Sequence, residues 1–158
     1  MSLHPNAQRV SSAARDLGLE IEIRTFPEGT KTAADAAAAI GVEVGQIVKS
    51  LIFAVDGEIV VAYVSGANRL DERRLAAAAD GRKASRVDAD AVRSATGYPI
   101  GGVPPFGHAT PLRVFVDEDL LAFDEVWAAA GTWNDVFPIA PDDLVRASGG
   151  TVSALARK

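Results

Sequence analysis

The 158-residue sequence contains no cysteine, which excludes disulfides, thiolate metal sites and a cysteine nucleophile. Histidine is limited to His4 and His108. A dedicated zinc site is therefore not expected, and neither a metal nor another cofactor is called for. No apolar run approaches the roughly 20 residues that span a bilayer. The opening MSLHPNAQRV lacks the charged and apolar regions of a signal peptide. The expectation is a cytoplasmic protein with no membrane partner. Positive charge is also short: a net charge of -5 argues against a broad nucleic-acid footprint. Neither a G-x-S-x-G nucleophile elbow nor a phosphate-cradling P-loop is present. No Ser-His-Asp arrangement can be assigned, and His108 is the only plausible histidine base because His4 lies near the terminus. Binding, or catalysis by positioning and electrostatics, is what these absences leave.

What is present fits one domain over residues 1–158 with an ordinary soluble composition, 48% hydrophobic and 23% charged. Ala7, Val10, Ala14 and Leu17 recur at helical spacing and predict a helix from Pro5 to Leu17. Glu20–Phe26 alternates polar and apolar residues, as a half-buried strand does. Thr32 can cap the alanine-rich helix that ends at Gly41. Ile47–Val55 and Glu58–Val64 are apolar and β-branched, and Asp56-Gly57 between them is a hairpin signal. Helices are expected at Asp71–Ala79, from Asp88 to Gly97, and from Pro141 toward Ser148. Further strands are expected at Lys83–Val87, Leu112–Val116, Val126–Ala130 and Val136–Ala140. This order predicts an α/β (α+β) fold: a mixed, mostly antiparallel sheet with flanking helices.

Three features invite a function. Seven of the eleven residues in Gly97–Gly107 (GYPIGGVPPFG) are glycine or proline. The segment is a rigid loop, either a structural corner or a place where a ligand meets bare peptide at Gly101-Gly102. Lys49 sits among Ile47, Leu51 and Phe53 on one face of an apolar strand. It either snorkels to the sheet edge, pairs with a buried acid, or projects into a pocket toward an anionic or carbonyl-bearing ligand. Finally, seven basic residues fall between Arg69 and Arg93, among five acids. They form either a solvated, salt-bridged face or a guide for an anionic partner.

The stretches TAADAAAAIGVEVGQIVKSLIF, SATGYPIGGVPPFGH and FPIAPDDLVRASGG resemble the YbaK/EbsC family. That superfamily of aminoacyl-tRNA deacylase domains includes the editing domain of bacterial prolyl-tRNA synthetases. The resemblance runs from about Thr32 to Gly150. It implies a compact fold with a curved mixed sheet, and hydrolysis of the ester between a wrong amino acid and the tRNA 3′ end, without a side-chain nucleophile. It implies that Lys49 contacts substrate near the terminal adenosine, and that Gly101, Gly102, Val103 and Pro104 line the aminoacyl pocket. On this reading Lys49, Gly101 and Gly102 are catalytic. Backbone N–H groups at Gly102 and Val103 and the Gly101 carbonyl are offered to substrate. Ser65, His108 and Asn134 are candidate substrate contacts, with a structural role as the alternative for His108. Trp127 and Trp133 either stack on a base or pack. The implied partner is the tRNA 3′ end carrying a small amino acid, on tRNA-Pro among others, with a synthetase as a second candidate. The competing expectation is a non-catalytic nucleotide- or aminoacyl-binding module using the same pocket.

Overall fold

A computed structural model describes residues 3–27 and 32–157. Its elements, in chain order, are α1 (Pro5–Asp16), β1 (Arg24–Thr25), α2 (Ala33–Ile40), β2 (Val48–Val55), β3 (Glu58–Ser65), α3 (Glu72–Ala78), β4 (Ala84–Arg86), α4 (Ala89–Thr96), β5 (Arg113–Asp117), β6 (Val126–Ala129), β7 (Asp135–Ile139), α5 (Pro141–Ser148) and β8 (Thr151–Ser153). Short 3-10 turns occupy Val44–Gln46 and Glu118–Ala122.

The β2–β3 hairpin organises the rest. Asp56 and Gly57 both take positive φ, 50° and 89°, as a two-residue turn matched to strand twist requires. The Asp56 carboxylate also accepts from the Arg82 and Lys83 N–H groups at 2.9 and 3.0 Å, which brings β4 alongside β2. The strand order is β4-β2-β3-β5-β8 in one sheet and β1-β7-β6 in the other. β2 pairs antiparallel with β3 and β4, whereas β3–β5 and β5–β8 are parallel. Both pairings of the smaller sheet are antiparallel, so the whole is mixed and mostly antiparallel. Among the described residues, one parallel bridge, Ile47 to Trp127, links the two sheets.

Alternation along β3 explains why it lies centrally. Val61 and Tyr63 enter one apolar cluster with Val10 and Ala14 of α1, Val92 of α4 and Leu144 of α5. Val60, Ala62 and Val64 enter a second cluster with Leu75 and Ala76 of α3. Capping proceeds as the side chains suggest: Thr32 Oγ1 accepts from Asp35 N at 3.0 Å, and Asp88 Oδ1 from Ala91 N at 2.8 Å.

Two expectations need correction. The strand expected over Glu20–Phe26 is reduced to Arg24–Thr25, because only these residues meet β7, at Val136 and Asp135. Leu19, Ile21 and Ile23 still pack against the main core, so the alternation reported burial without a hydrogen-bonded ladder. β8 was not expected from the sequence: Thr151–Ser153 is short and mostly exposed, and only its pairing with β5 makes it a strand.

Candidate functional site

Along β2, β4 covers only Phe53–Val55, and Val48–Ile52 have β3 as their single partner strand. A cavity of about 540 Å³ opens against this stretch. It is lined by Lys49, Ser50, Leu51, Ile52 and Phe53 of β2, by Arg69, Leu70 and Glu72, by Arg86 and Val87, and by Ile100 and Arg157. The volume falls within the roughly 300–1,000 Å³ of sites that enclose small ligands.

The environment of Lys49 matches the pocket reading, and among the described residues Lys49 forms no ion pair with a buried acid. The side chain is half-buried, lines the cavity, and its ammonium donates to the Asn68 carbonyl. Burial holds its pKa below the ordinary lysine value; the nearby Asp117 carboxylate opposes that shift and Arg69 adds to it. Asp117 is fully buried and satisfied by neutral donors. It accepts from Ser65 N at 3.1 Å, Asn68 Nδ2 at 2.8 Å and Asp119 N at 3.0 Å. Asn68 is thereby fixed on its side-chain edge by Asp117 while its carbonyl holds Lys49. An ammonium has three N–H donors. One goes to Asn68, the only protein acceptor seen for Lys49 among the described residues.

The glycine-proline loop reaches this cavity only at its tip. Pro99 to Gly102 is a turn closed by Gly102 N donating to Pro99 O at 2.9 Å, with Gly101 at φ +79°. The Gly102 carbonyl accepts from Gly131 N at 3.0 Å. Gly102 is therefore not the free donor expected: its N–H is consumed by the turn, and the residue is buried. Val103, Pro104 and Phe106 are buried too, with Val103 and Phe106 in the main core. Ile100 and Gly101, at the tip, are exposed. Ile100 lines the Lys49 cavity, while Gly101 lines a neighbouring space of about 40 Å³ with Ala36, Val48, Trp127 and Thr132. Trp133 braces the tip, its Nε1 donating to Ile100 O at 2.7 Å.

The remaining sequence-stated contacts lie elsewhere. Ser65 is buried and its hydroxyl donates to Gly45 O at 2.7 Å, so it supports the Asp117 side of the site without lining the cavity. Asn134 Nδ2 donates to Phe26 O at 2.9 Å. His108 lines a separate depression with Leu17, Phe106 and Pro111. The Pro104 carbonyl accepts from the buried Tyr63 hydroxyl at 2.5 Å, and His108 Nε2 lies 2.8 Å from the same oxygen and 3.0 Å from the Tyr63 hydroxyl. Burial lowers the His108 pKa, an effect the bond to Pro104 opposes.

Two buried polar atoms among the described residues have no partner: Ser50 Oγ and Trp127 Nε1. Each belongs to a residue lining one of the two adjacent cavities. Unsatisfied buried groups are rare in folded proteins, and a ligand is one explanation for them. Ser50 follows Lys49 directly, but nothing in the sequence marks it apart from other strand serines. Arg157 reaches the cavity only through the tertiary fold.

Lys49 and three arginines around one concavity give the site the character of one suited to a polar, anionic ligand. The comparisons make that class specific. The model of the aminoacyl-tRNA editing domain matches residues 27–147. The crystal structure of a candidate trans-editing enzyme for prolyl-tRNA synthetase superposes with a TM-score of 0.94 at 42% identity, covering 99% of this chain and 100% of that one. EbsC of Enterococcus faecalis, named as a candidate Cys-tRNA(Pro)/Cys-tRNA(Cys) deacylase, is 26% identical over 135 residues, 84% of this chain and 82% of EbsC. The proline–tRNA ligase of Maridesulfovibrio salexigens is 33% identical over 107 residues, 68% of this chain but 18% of the ligase. The chain belongs to the aminoacyl-tRNA editing domain (YbaK/EbsC) family, and its reaction class is deacylation of aminoacyl-tRNA.

Proposed function

We propose that this protein hydrolyses, in trans, the ester of a small, wrongly attached amino acid at the 3′ end of a tRNA, with tRNA-Pro as the first substrate to try. The observation that carries the reading is Lys49: a half-buried ammonium with one protein acceptor among the described residues, lining a cavity of about 540 Å³. The chemistry asks little of side chains. Water adds to the ester carbonyl, the tetrahedral oxyanion collapses, and the ribose hydroxyl leaves with a proton. The two remaining Lys49 donors offset negative charge on the oxyanion or the adjoining phosphate, and exclusion of water from the cavity strengthens that attraction. Binding the terminal nucleotide against β2 holds the ester in place. Gly101 and Ile100 form the wall beside the aminoacyl group. Val103 and Pro104 shape that wall from behind. Ser65 acts through Asp117, and neither His108 nor Asn134 has a place in this scheme.

The reading takes residues 1–158 as one editing domain, because α1 and β8 pack onto the same larger sheet from opposite ends of the chain. Likeness to a segment of proline–tRNA ligases supports a synthetase as the protein that supplies the mischarged substrate. A cytoplasmic setting follows from that substrate. Among the described residues no helix is long and apolar enough to cross a membrane.

The test is a deacylation panel: purified protein against tRNA-Pro and other tRNAs, each carrying alanine, serine, cysteine or the cognate amino acid. Faster release of one small, non-cognate amino acid is expected. No release from any of them, with binding retained, would establish the non-catalytic module instead.

A further inference from the structure

The cavity beside Lys49 is positively charged in a protein that is not. Four of its lining side chains are cationic (Lys49, Arg69, Arg86 and Arg157) and one, Glu72, is acidic, against a net charge of -5 for the chain. The ion pairs of the described residues lie elsewhere, at Arg74–Asp71, Arg113–Glu58 and Arg146–Asp143. The guanidiniums of Arg69, Arg86 and Arg157 have no protein partner among the described residues, and all three residues are exposed. Four cationic side chains around one concavity, with Glu72 as the one lining carboxylate, draw an anion toward it.

Arg69 and Arg157 are brought together by backbone. Past β8 the chain turns back to form a bridge between Leu70 and Ala156. Arg157 N then donates to Arg69 O at 2.7 Å, and Asp71 N to Leu155 O at 2.8 Å. Leu155 is fully buried in the α3 cluster, which anchors the return. The two arginines thus flank one mouth of the cavity, although 88 positions separate them in sequence. Of the basic stretch from Arg69 to Arg93, only Arg69 and Arg86 line the cavity. Arg74 is paired with Asp71.

We propose that Arg69 and Arg157 form a phosphodiester-binding mouth, and that the returning segment 154–157 is part of the RNA site. The inference rests on the deacylase reading and extends it: the guanidiniums grip the backbone of the 3′-terminal nucleotides while Lys49 faces the ester. Paired guanidiniums suit phosphate oxygens because each presents a planar fork of donors. Phosphate contacts position the strand and carry no sequence information.

The test measures anisotropy of a 5′-labelled RNA hairpin with a single-stranded 3′ end, titrated with full-length protein from 50 to 200 mM salt. Arg157→Ala and Arg69→Ala are each expected to weaken binding about three- to tenfold and to flatten the log K against log salt slope by about 0.7, the loss of one single-strand phosphate contact. Arg73→Ala should leave both unchanged. Arg157→Lys should keep most of the slope, which separates lost charge from disturbed folding. Wild-type slopes in both alanine variants would overturn the proposal, even with ester hydrolysis intact. Flattened slopes with no hydrolysis in the deacylation panel would sustain the mouth and remove the deacylase reading.

Discussion

The surroundings of Lys49 and of His108 treat polar groups in opposite ways. Around His108, Tyr63 and the histidine both point at the Pro104 carbonyl, and the loop is closed upon itself. Around the Lys49 cavity, three guanidiniums and the buried hydroxyl of the adjoining Ser50 are left without protein partners among the described residues. A folded chain satisfies its own polar groups where it needs rigidity and leaves them open where a ligand completes them. On the proposed function, the difference puts the chemistry on the lysine side and the architecture on the histidine side.

The largest expected effect is at Lys49. Lys49→Ala should lower kcat/KM for ester hydrolysis by about 10²–10³-fold, the scale of losing one preorganised oxyanion donor, with an unchanged melting temperature. Wild-type turnover in that variant would end the proposed role. On the other side, Tyr63→Phe should act through stability, costing about 1–2 kcal/mol by leaving the buried Pro104 carbonyl with one donor fewer. A melting curve and a kcat/KM measurement together check this. A stable Tyr63→Phe protein that has lost hydrolysis would erase the division between the sides. Ser50→Ala sharpens it from the first side. The hydroxyl has no protein partner to lose, so stability should hold within about 0.5 kcal/mol. With stability held, a fall in kcat/KM would give this hydroxyl a part in substrate binding, and a wild-type kcat/KM would leave it a core group.

The smallest effect concerns pH. The folded-state pKa of His108 lies below its unfolded value because burial disfavours the imidazolium. The unfolded chain therefore takes up the proton first as pH falls. Stability drops from about pH 6.5 down to the folded-state pKa and levels beyond it. Denaturant melts of His108→Gln should lack that component, and the difference between variant and wild type isolates it from the carboxylates.

Local structure was the most readable part of the sequence because its determinants are local. Asp56-Gly57 set the hairpin, Thr32 and Asp88 capped their helices, and the apolar, β-branched run to Val64 marked a strand. Lys49 was conspicuous for one reason, a charge in an apolar strand. Arg157 carried no such mark. Its place depends on the pairing of β8 with β5 and on the bridge to Leu70, contacts that connect distant parts of the chain. The loop was misjudged at Gly102. Its composition announced an irregular backbone but not that the Pro99 carbonyl would take the N–H. Glycine and proline specify which angles are available, and the surrounding core decides which groups remain exposed.

The turn at Pro99–Gly102 has a kinetic consequence. The amides of Gly102, Ala109 and Gly131 are each engaged, to Pro99 O, Thr96 O and Gly102 O. In deuterated solvent, a segment with no helix or strand should then exchange its protons as slowly as the strands around it. Slow exchange at these positions would make the wall of the cavity a fixed jaw, with closure around a guest left to side chains such as Lys49 and the arginines, and with the glycines contributing shape without suppleness.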